Sequence, residues 1–327
     1  MHAPHPSPLP KGEREKHQMR ILFHDLTVDP EPWLAALRQA FPQADVALWQ
    51  PGAPQADYAL VWAPPQELLD EQPRLKALFN IAAGVDALLK LRLPAGVPVF
   101  RLDDAGMAVQ MAEYVAQAVI RFYRELDAVQ ADAQAGRWQQ RQPQPRAQCP
   151  VGVMGLGVLG QRVLRGLQAF DFPLRGWSRT PKHMEGVQIF AGPAQWHEFL
   201  AGSRVLVNLL PLTPETENIL NRSSLSRLLP GAYLINVARG RHLVDEDLLA
   251  LLDNRHLAGA LLDVFRQEPL PAEHPFWREP RIRITPHTSA RTLQQESLSQ
   301  MVAKMAALQA GAKPESLGGL VRPQVGY

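Results

Sequence analysis

Residues 151–160, VGVMGLGVLG, set Gly155, Gly157 and Gly160 in the spacing G-x-G-x-x-G, directly after an apolar run and directly before the helical pattern VLGQRVLRGLQAF. A chain that turns from strand to helix through these glycines belongs in an α/β fold. Gly155 permits the tight turn, Gly157 lets backbone approach a pyrophosphate, and Gly160 lets the helix pack closely on its strand. The free amide N–H groups of the helix start then face the anion. Gly155, Leu156, Gly157, Val158, Leu159 and Gly160 are therefore the expected dinucleotide-binding loop. The next strand ends in GWSRTPK, without the carboxylate that would hold the ribose hydroxyls of NAD. Ser178, Arg179, Thr180 and Lys182 place hydroxyls and cations there instead, which suits a 2′-phosphate through charge-assisted hydrogen bonds. The expected cofactor is NADPH, with NADH the weaker alternative; the competing reading of SRTPK is a solvated turn.

The surrounding pattern carries the same architecture through the chain. With 327 residues, two domains sharing a cleft are expected. From Arg20, short apolar runs (RILFHD, VALW, ADYALVW, ALFNIAAGVD) alternate with the amphipathic stretches PEPWLAALRQAF and PQELLD, the mark of βα units and a parallel sheet. One long helical segment is predicted over 107–136, with Met111, Val115, Ala118, Val119 and Phe122 on its apolar face. A second series follows, VGVMG, LRGWS, VQIFAG, RVLVNLL, AYLINVA, LAGALLDVF and RIRITPH, enough strands for a complete doubly wound sheet. A last helix is predicted over 292–309. The fold class is thus α/β, with two doubly wound, Rossmann- or flavodoxin-like parallel-sheet domains and a cleft between them.

Composition removes several alternatives. Lys and Arg number 34 against 32 Asp and Glu, and the basic residues are scattered, so no nucleic-acid patch is read. The single cysteine, Cys149, allows neither an intramolecular disulfide nor a cysteine metal cluster, and a reducing cytoplasm is expected. No metal site is expected, since His2, His5 and His17 are irregularly spaced in a proline-rich, charged stretch. Residues 1–18 read as a disordered tail lacking the apolar core of a signal peptide, with Met19 an alternative start. No run approaches the length of a membrane span.

Three polar residues stand at ends of the later strand runs: Arg239 after LINVA, Glu268 in DVFRQEP and His287 in ITPHTSA. In an open α/β sheet ligands bind beyond the carboxyl ends of strands, so these positions can converge. Reduction of a 2-oxo acid needs a cation for the carboxylate and carbonyl oxygen, a proton donor, and a group that keeps the donor charged. Arg239 suits the first, His287 the second and Glu268 the third. Singly each has a bland reading as a surface ion pair, a loop carboxylate or a capping histidine.

The sequence resembles the D-isomer-specific 2-hydroxy acid dehydrogenase family, in GLGVLG at 155–160, NLLPLT at 208–213, NVARG at 236–240, LLDVFRQEPLP at 261–271 and TPHTSA at 285–290. Within it the glyoxylate/hydroxypyruvate reductase A branch is most similar, through ALWQPG at 47–52, AAGVD at 82–86, DDAGMAVQMAEYV at 103–115, GWSRTPK at 176–182, PLPAEHPFWREPRIRITPH at 269–287 and the final Gly-Tyr. The resemblance implies a discontinuous substrate domain, residues 19–104 and 289–327, around an NADP-binding domain at 105–288, and a homodimer. It implies substrate binding by Arg239, acid–base catalysis by His287 and support by Glu268. It places the backbone of Gly84 and Val85 at the substrate carboxylate and Asp263 near the nicotinamide amide. Leu209, Pro211, Val237 and Ala238 would line the cofactor face. Trp49 and Met107 would wall a small pocket, or serve as core. The chain departs from the family's usual small apolar residues at Thr288 and Ser289.

The expected activity is NADPH-dependent reduction of glyoxylate to glycolate and hydroxypyruvate to D-glycerate. A phosphorylated oxo acid ranks lower, because residues 82–89, AAGVDALL, bring no cation. Another 2-oxo acid, or a dinucleotide-sensing interaction protein, are the alternatives.

Overall fold

Parallel strands need crossover connections, usually helical, and a parallel sheet is covered on both faces. The computed structural model, which describes residues 18–322, contains two such sheets. The first is formed by β1 (Arg20–His24), β2 (Asp45–Leu48), β3 (Tyr58–Val61), β4 (Ala77–Asn80) and the two-residue β5 (Val99–Phe100), in the order β2-β1-β3-β4-β5, with α1 (Glu31–Ala40) and α2 (Gln66–Glu71) between strands. Two helices follow, α3 (Met107–Tyr123) and α4 (Leu126–Gln134).

The second sheet is formed by β6 (Val151–Met154), β7 (Leu174–Ser178), β8 (Val187–Ala191), β9 (Val205–Asn208), β10 (Ala232–Asn236), β11 (Leu257–Leu262) and β12 (Ile282–Ile284), in the order β12-β11-β10-β9-β6-β7-β8. Its connections carry α5 (Val158–Gln168), α6 (Trp196–Ala201), α7 (Arg222–Leu225) and α8 (Asp245–Asp253); α9 (Gln294–Gln309) comes last. All strand pairings within this sheet are parallel, as the strand runs predict, and every residue of β6, β9 and β10 is buried. Alternation sorts them: Val205 and Val207 join the cluster under α3 and α5, whereas Leu206 joins the one on the opposite face with Leu234 and Leu248.

The helical segment predicted over 107–136 is two helices, not one. Glu125 takes a left-handed conformation at φ 51°, and the chain turns there although its composition stays helical. Arg121 at the end of α3 holds the bend, its Nε donating to Asp127 at 2.5 Å and Nη2 to Gln130 at 2.9 Å. Beyond β12 the chain returns to the first sheet. Met301 and Met305 of α9 share a core cluster with Phe79 and Phe100, and the Val321 amide donates to the Val99 carbonyl at 2.8 Å. The stretch read as a tail and the final Gly-Tyr lie outside the described residues, apart from Gln18. Among the described residues no helix is long and apolar enough to cross a membrane.

Candidate active site

Parallel pairing puts all carboxyl ends of the second sheet on one edge, and the strand order reverses at β6, between β9 and β7. The glycine loop lies at that reversal, where such sheets bind ligands. Gly155 has φ 95°, and a Cβ there would stand 2.6 Å from the Leu209 carbonyl oxygen; one on Gly160 would stand 1.9 Å from the carbonyl oxygen of Gly155. Gly157 has open space on the side a Cβ would take, and no side chain caps α5. The loop therefore keeps a cleared face beside unpartnered first-turn amides, which fits a pyrophosphate. Val158 is exposed there, while the Leu156 side chain is buried under Gly176, so that Leu156 can meet a ligand only through its backbone. At the end of β7, Ser178 is buried with its hydroxyl donating to the Thr180 carbonyl at 2.7 Å, while Arg179, Thr180 and Lys182 are exposed beyond it.

Arg239 follows β10 and crosses to the first sheet's loop, where its Nε donates to Asp86 Oδ2 at 2.5 Å; its Nη1 donates to the Ala238 carbonyl at 2.6 Å. The remaining nitrogen, Nη2, lies so close over Gly84 that a Cβ at that position would be 1.7 Å from it. The amides of Gly84 and Val85 have no hydrogen-bond partner among the described residues. Two free donors thus adjoin a guanidinium, the chemistry a carboxylate requires. The loop is held by buried Asn80, whose Nδ2 donates to the carbonyls of Ala82 and Gly84, each at 2.8 Å.

His287 follows β12 at φ 52°, its amide donating to the Asp263 carbonyl at 2.8 Å. Its Nδ1 is 2.8 Å from Glu268 Oε2, and Glu268 Oε1 accepts from the Phe265 amide at 2.9 Å. Burial alone would raise the Glu268 carboxyl. The bonds from His287 and Phe265, with the charges of His287 and Arg239, outweigh burial and hold it below the ordinary carboxylate range. Folding thus favours the ionised form, so the stability it lends is present above the unfolded carboxylate pKa and lost as pH falls through the lowered one. Asp263 is fully buried and anchors this loop: Oδ1 accepts from the Thr285 hydroxyl at 2.6 Å and the Thr288 amide at 2.8 Å, and Oδ2 from the Ser289 amide at 2.9 Å.

The family model described as D-isomer specific 2-hydroxyacid dehydrogenase, NAD binding domain, matches residues 116–289. Glyoxylate/hydroxypyruvate reductase A of Serratia proteamaculans is 49% identical over 316 residues, covering 94% of this chain and 100% of the relative. The chain belongs to the D-isomer specific 2-hydroxyacid dehydrogenase family. Solved members share its fold over most of the chain. A family member from Xanthobacter autotrophicus Py2, in complex with NADPH and MES, superposes with a TM-score of 0.89 at 37% identity, covering 95% of this chain and 100% of that one. An NADPH-dependent glyoxylate/hydroxypyruvate reductase from Sinorhizobium meliloti, in complex with NADP and sulfate, gives 0.87 at 34% identity, covering 94% and 100%.

In this member of the family the structure also brings in residues the sequence did not single out. Asp86 is one. Another is a buried network behind the Arg239 loop: Asn208 Nδ2 is 3.0 Å from both Asn236 Oδ1 and His242 Nδ1, and His242 Nε2 is 3.2 Å from the Pro211 carbonyl. His242 Nδ1 also lies 3.1 Å from the Arg239 carbonyl, so the ring meets the loop through both nitrogens. Burial pushes the His242 imidazole below its ordinary value, in keeping with a neutral ring. Asn236 completes the brace by donating to the Arg239 carbonyl at 3.1 Å. The sequence signal was an asparagine closing each of two wholly apolar strand runs. Met107 and Trp49, by contrast, are buried in packed clusters of the first sheet, at 5% and 7% exposure, which core packing accounts for; the Trp49 indole N–H has no partner among the described residues. Among the described residues no group of three or more His, Cys, Asp or Glu could hold a metal ion.

Proposed function

We propose that this chain reduces small 2-oxo acids with NADPH, glyoxylate to glycolate and hydroxypyruvate to D-glycerate. The observation that carries the reading is the placement of Arg239 Nη2 over Gly84, whose amide and that of Val85 have no partner among the described residues, on the same edge of the fold as the hydrogen-bonded His287–Glu268 pair. The names of the curated relatives and the NADPH and NADP bound in the solved members support it. NADPH would supply the hydride to the carbonyl carbon. Gly84 and Val85 amides bind the substrate carboxylate beside Arg239, whose charge steadies the carbonyl oxygen as it becomes an alkoxide. With Nδ1 engaged by Glu268, His287 gives the proton to that oxygen from Nε2, and ionised Glu268 supports the imidazolium until then.

The cofactor is held by the 155–160 loop, by Leu209, Pro211, Val237 and Ala238 along the strand ends, by Asp263, and by Ser178, Arg179, Thr180 and Lys182 at the 2′-phosphate. We place the substrate domain at 19–104 and 289–327 around a cofactor domain at 105–288, and the enzyme as a cytoplasmic homodimer; sedimentation of the full chain tests the last point.

Following NADPH and NADH absorbance with glyoxylate, hydroxypyruvate, pyruvate and 3-phosphohydroxypyruvate tests the function. Rapid NADPH oxidation by the first two is expected. Tight NADPH binding with no oxidation by any acid would instead indicate a dinucleotide sensor. Arg179→Ala is expected to raise the KM for NADPH roughly ten- to hundredfold, the worth of a charge-assisted hydrogen bond, while moving the KM for NADH less than about threefold. Equal effects on both cofactors would remove Arg179 from the phosphate site.

A further inference from the structure

We propose that Asp86 is a specificity-determining residue: its carboxylate, held against Arg239, makes the site select oxo acids with one negative charge over those with two. This rests on the proposed reduction of 2-oxo acids and adds to it the basis of the charge choice.

Two pairs of opposite groups stand beside the Gly84 loop and the His287 loop. Asp86 is bonded to Arg239, Glu268 to His287, and the charge of Arg239 also reaches Glu268. Each base therefore already has its own carboxylate. A Cβ on Gly84 would lie 1.7 Å from Arg239 Nη2 and 3.3 Å from Asp86 Oδ2, so the cation and the anion stand together over the backbone proposed to receive the substrate carboxylate. The first carboxylate of a substrate is accommodated by the Arg239 donors left free and by two amides. A second anionic group finds no further cation in 82–89, the stretch that carries these amides, and meets the Asp86 charge a few ångströms away.

The pair spans the two sheets, with side chains about 30% exposed on each side, so its field is only partly screened by water. Asp86 also takes the Nε donor, which leaves Arg239 unable to offer that donor to a distal phosphate or carboxylate. Repulsion and a withheld donor act in the same direction.

The test compares kcat/KM for glyoxylate, a monoanion, with that for oxaloacetate, a dianion, and for 3-phosphohydroxypyruvate, in wild type, Asp86→Asn and Asp86→Glu, all with NADPH. Because the ratio of dianion to monoanion is taken within each protein, any general loss of activity cancels. Asp86→Asn keeps an acceptor for Arg239 Nε but removes the charge, and the ratio is expected to rise by roughly tenfold or more, less at high salt. Asp86→Glu retains the charge and is expected to keep the ratio within about twofold of wild type.

An unchanged ratio in Asp86→Asn overturns the proposal, as does an equal rise in Asp86→Glu, which would make the effect one of shape. Loss of all turnover in Asp86→Asn with NADPH binding intact also overturns it, by reducing Asp86 to a support for Arg239. If wild type reduces none of the acids, the underlying reaction is wrong, and that result is distinct from a flat ratio in an active enzyme.

Discussion

His287→Asn is expected to lower kcat for glyoxylate reduction by roughly a hundred- to ten-thousandfold, the worth of a positioned proton donor, while leaving NADPH affinity within about twofold. Asparagine is the informative replacement because residue 287 has φ 52°, a conformation asparagine tolerates better than most side chains. Its amide can also take the Nδ1 place and donate to Glu268, so the bond seen at 2.8 Å keeps a counterpart. What disappears is the nitrogen that can release a proton to substrate. Stopped-flow measurement of NADPH oxidation, with cofactor binding followed by fluorescence, separates the two effects. Near-normal turnover would take His287 out of the reaction. Glu268→Gln gives a complementary readout. The wild-type carboxylate is held ionised below the ordinary carboxylate range, and replacing it by an amide is expected to lower kcat roughly tenfold or more while leaving NADPH affinity within about twofold.

The placement of His287 shows how much of this site can be read from sequence. Parallel pairing alone takes the ends of β10, β11 and β12 to one edge, so Arg239, Glu268 and His287 become neighbours once the apolar runs are recognised as strands. Asp86 was not legible in that way. Alone, GVD at 84–86 reads as a turn, and its meaning comes from a partner 153 residues further on. The anchoring by Asp263 was hidden for the same reason, since the amides it accepts from belong to a loop 25 and 26 residues later. The bend between α3 and α4 left no mark in composition, because Glu125 adopts a left-handed backbone conformation without glycine or proline to announce it. Residue types and periodicity report local preference and burial. Ion pairs and bends fixed by distant partners are tertiary facts.

Arg239→Ala is expected to cost about a thousandfold in kcat/KM, near 4 kcal/mol, by removing the cation that the alkoxide and the carboxylate share. The loss has a second part that a count of lost contacts misses. Without the guanidinium, Asp86 remains as an unneutralised carboxylate beside the amides of Gly84 and Val85, where it opposes the substrate carboxylate. The effects of Arg239 and Asp86 are therefore coupled rather than additive. The double variant Arg239→Ala/Asp86→Asn is expected to recover several-fold of the activity lost in Arg239→Ala, chiefly as a lower KM, because it removes the stranded charge without restoring the stabilised alkoxide. A double variant no better than Arg239→Ala would mean that Asp86 is remote from the bound carboxylate. Near-normal kcat/KM in Arg239→Ala itself would require another group to hold the substrate; His287 is already committed to the proton, and His242 is buried behind the loop and bonded to Pro211.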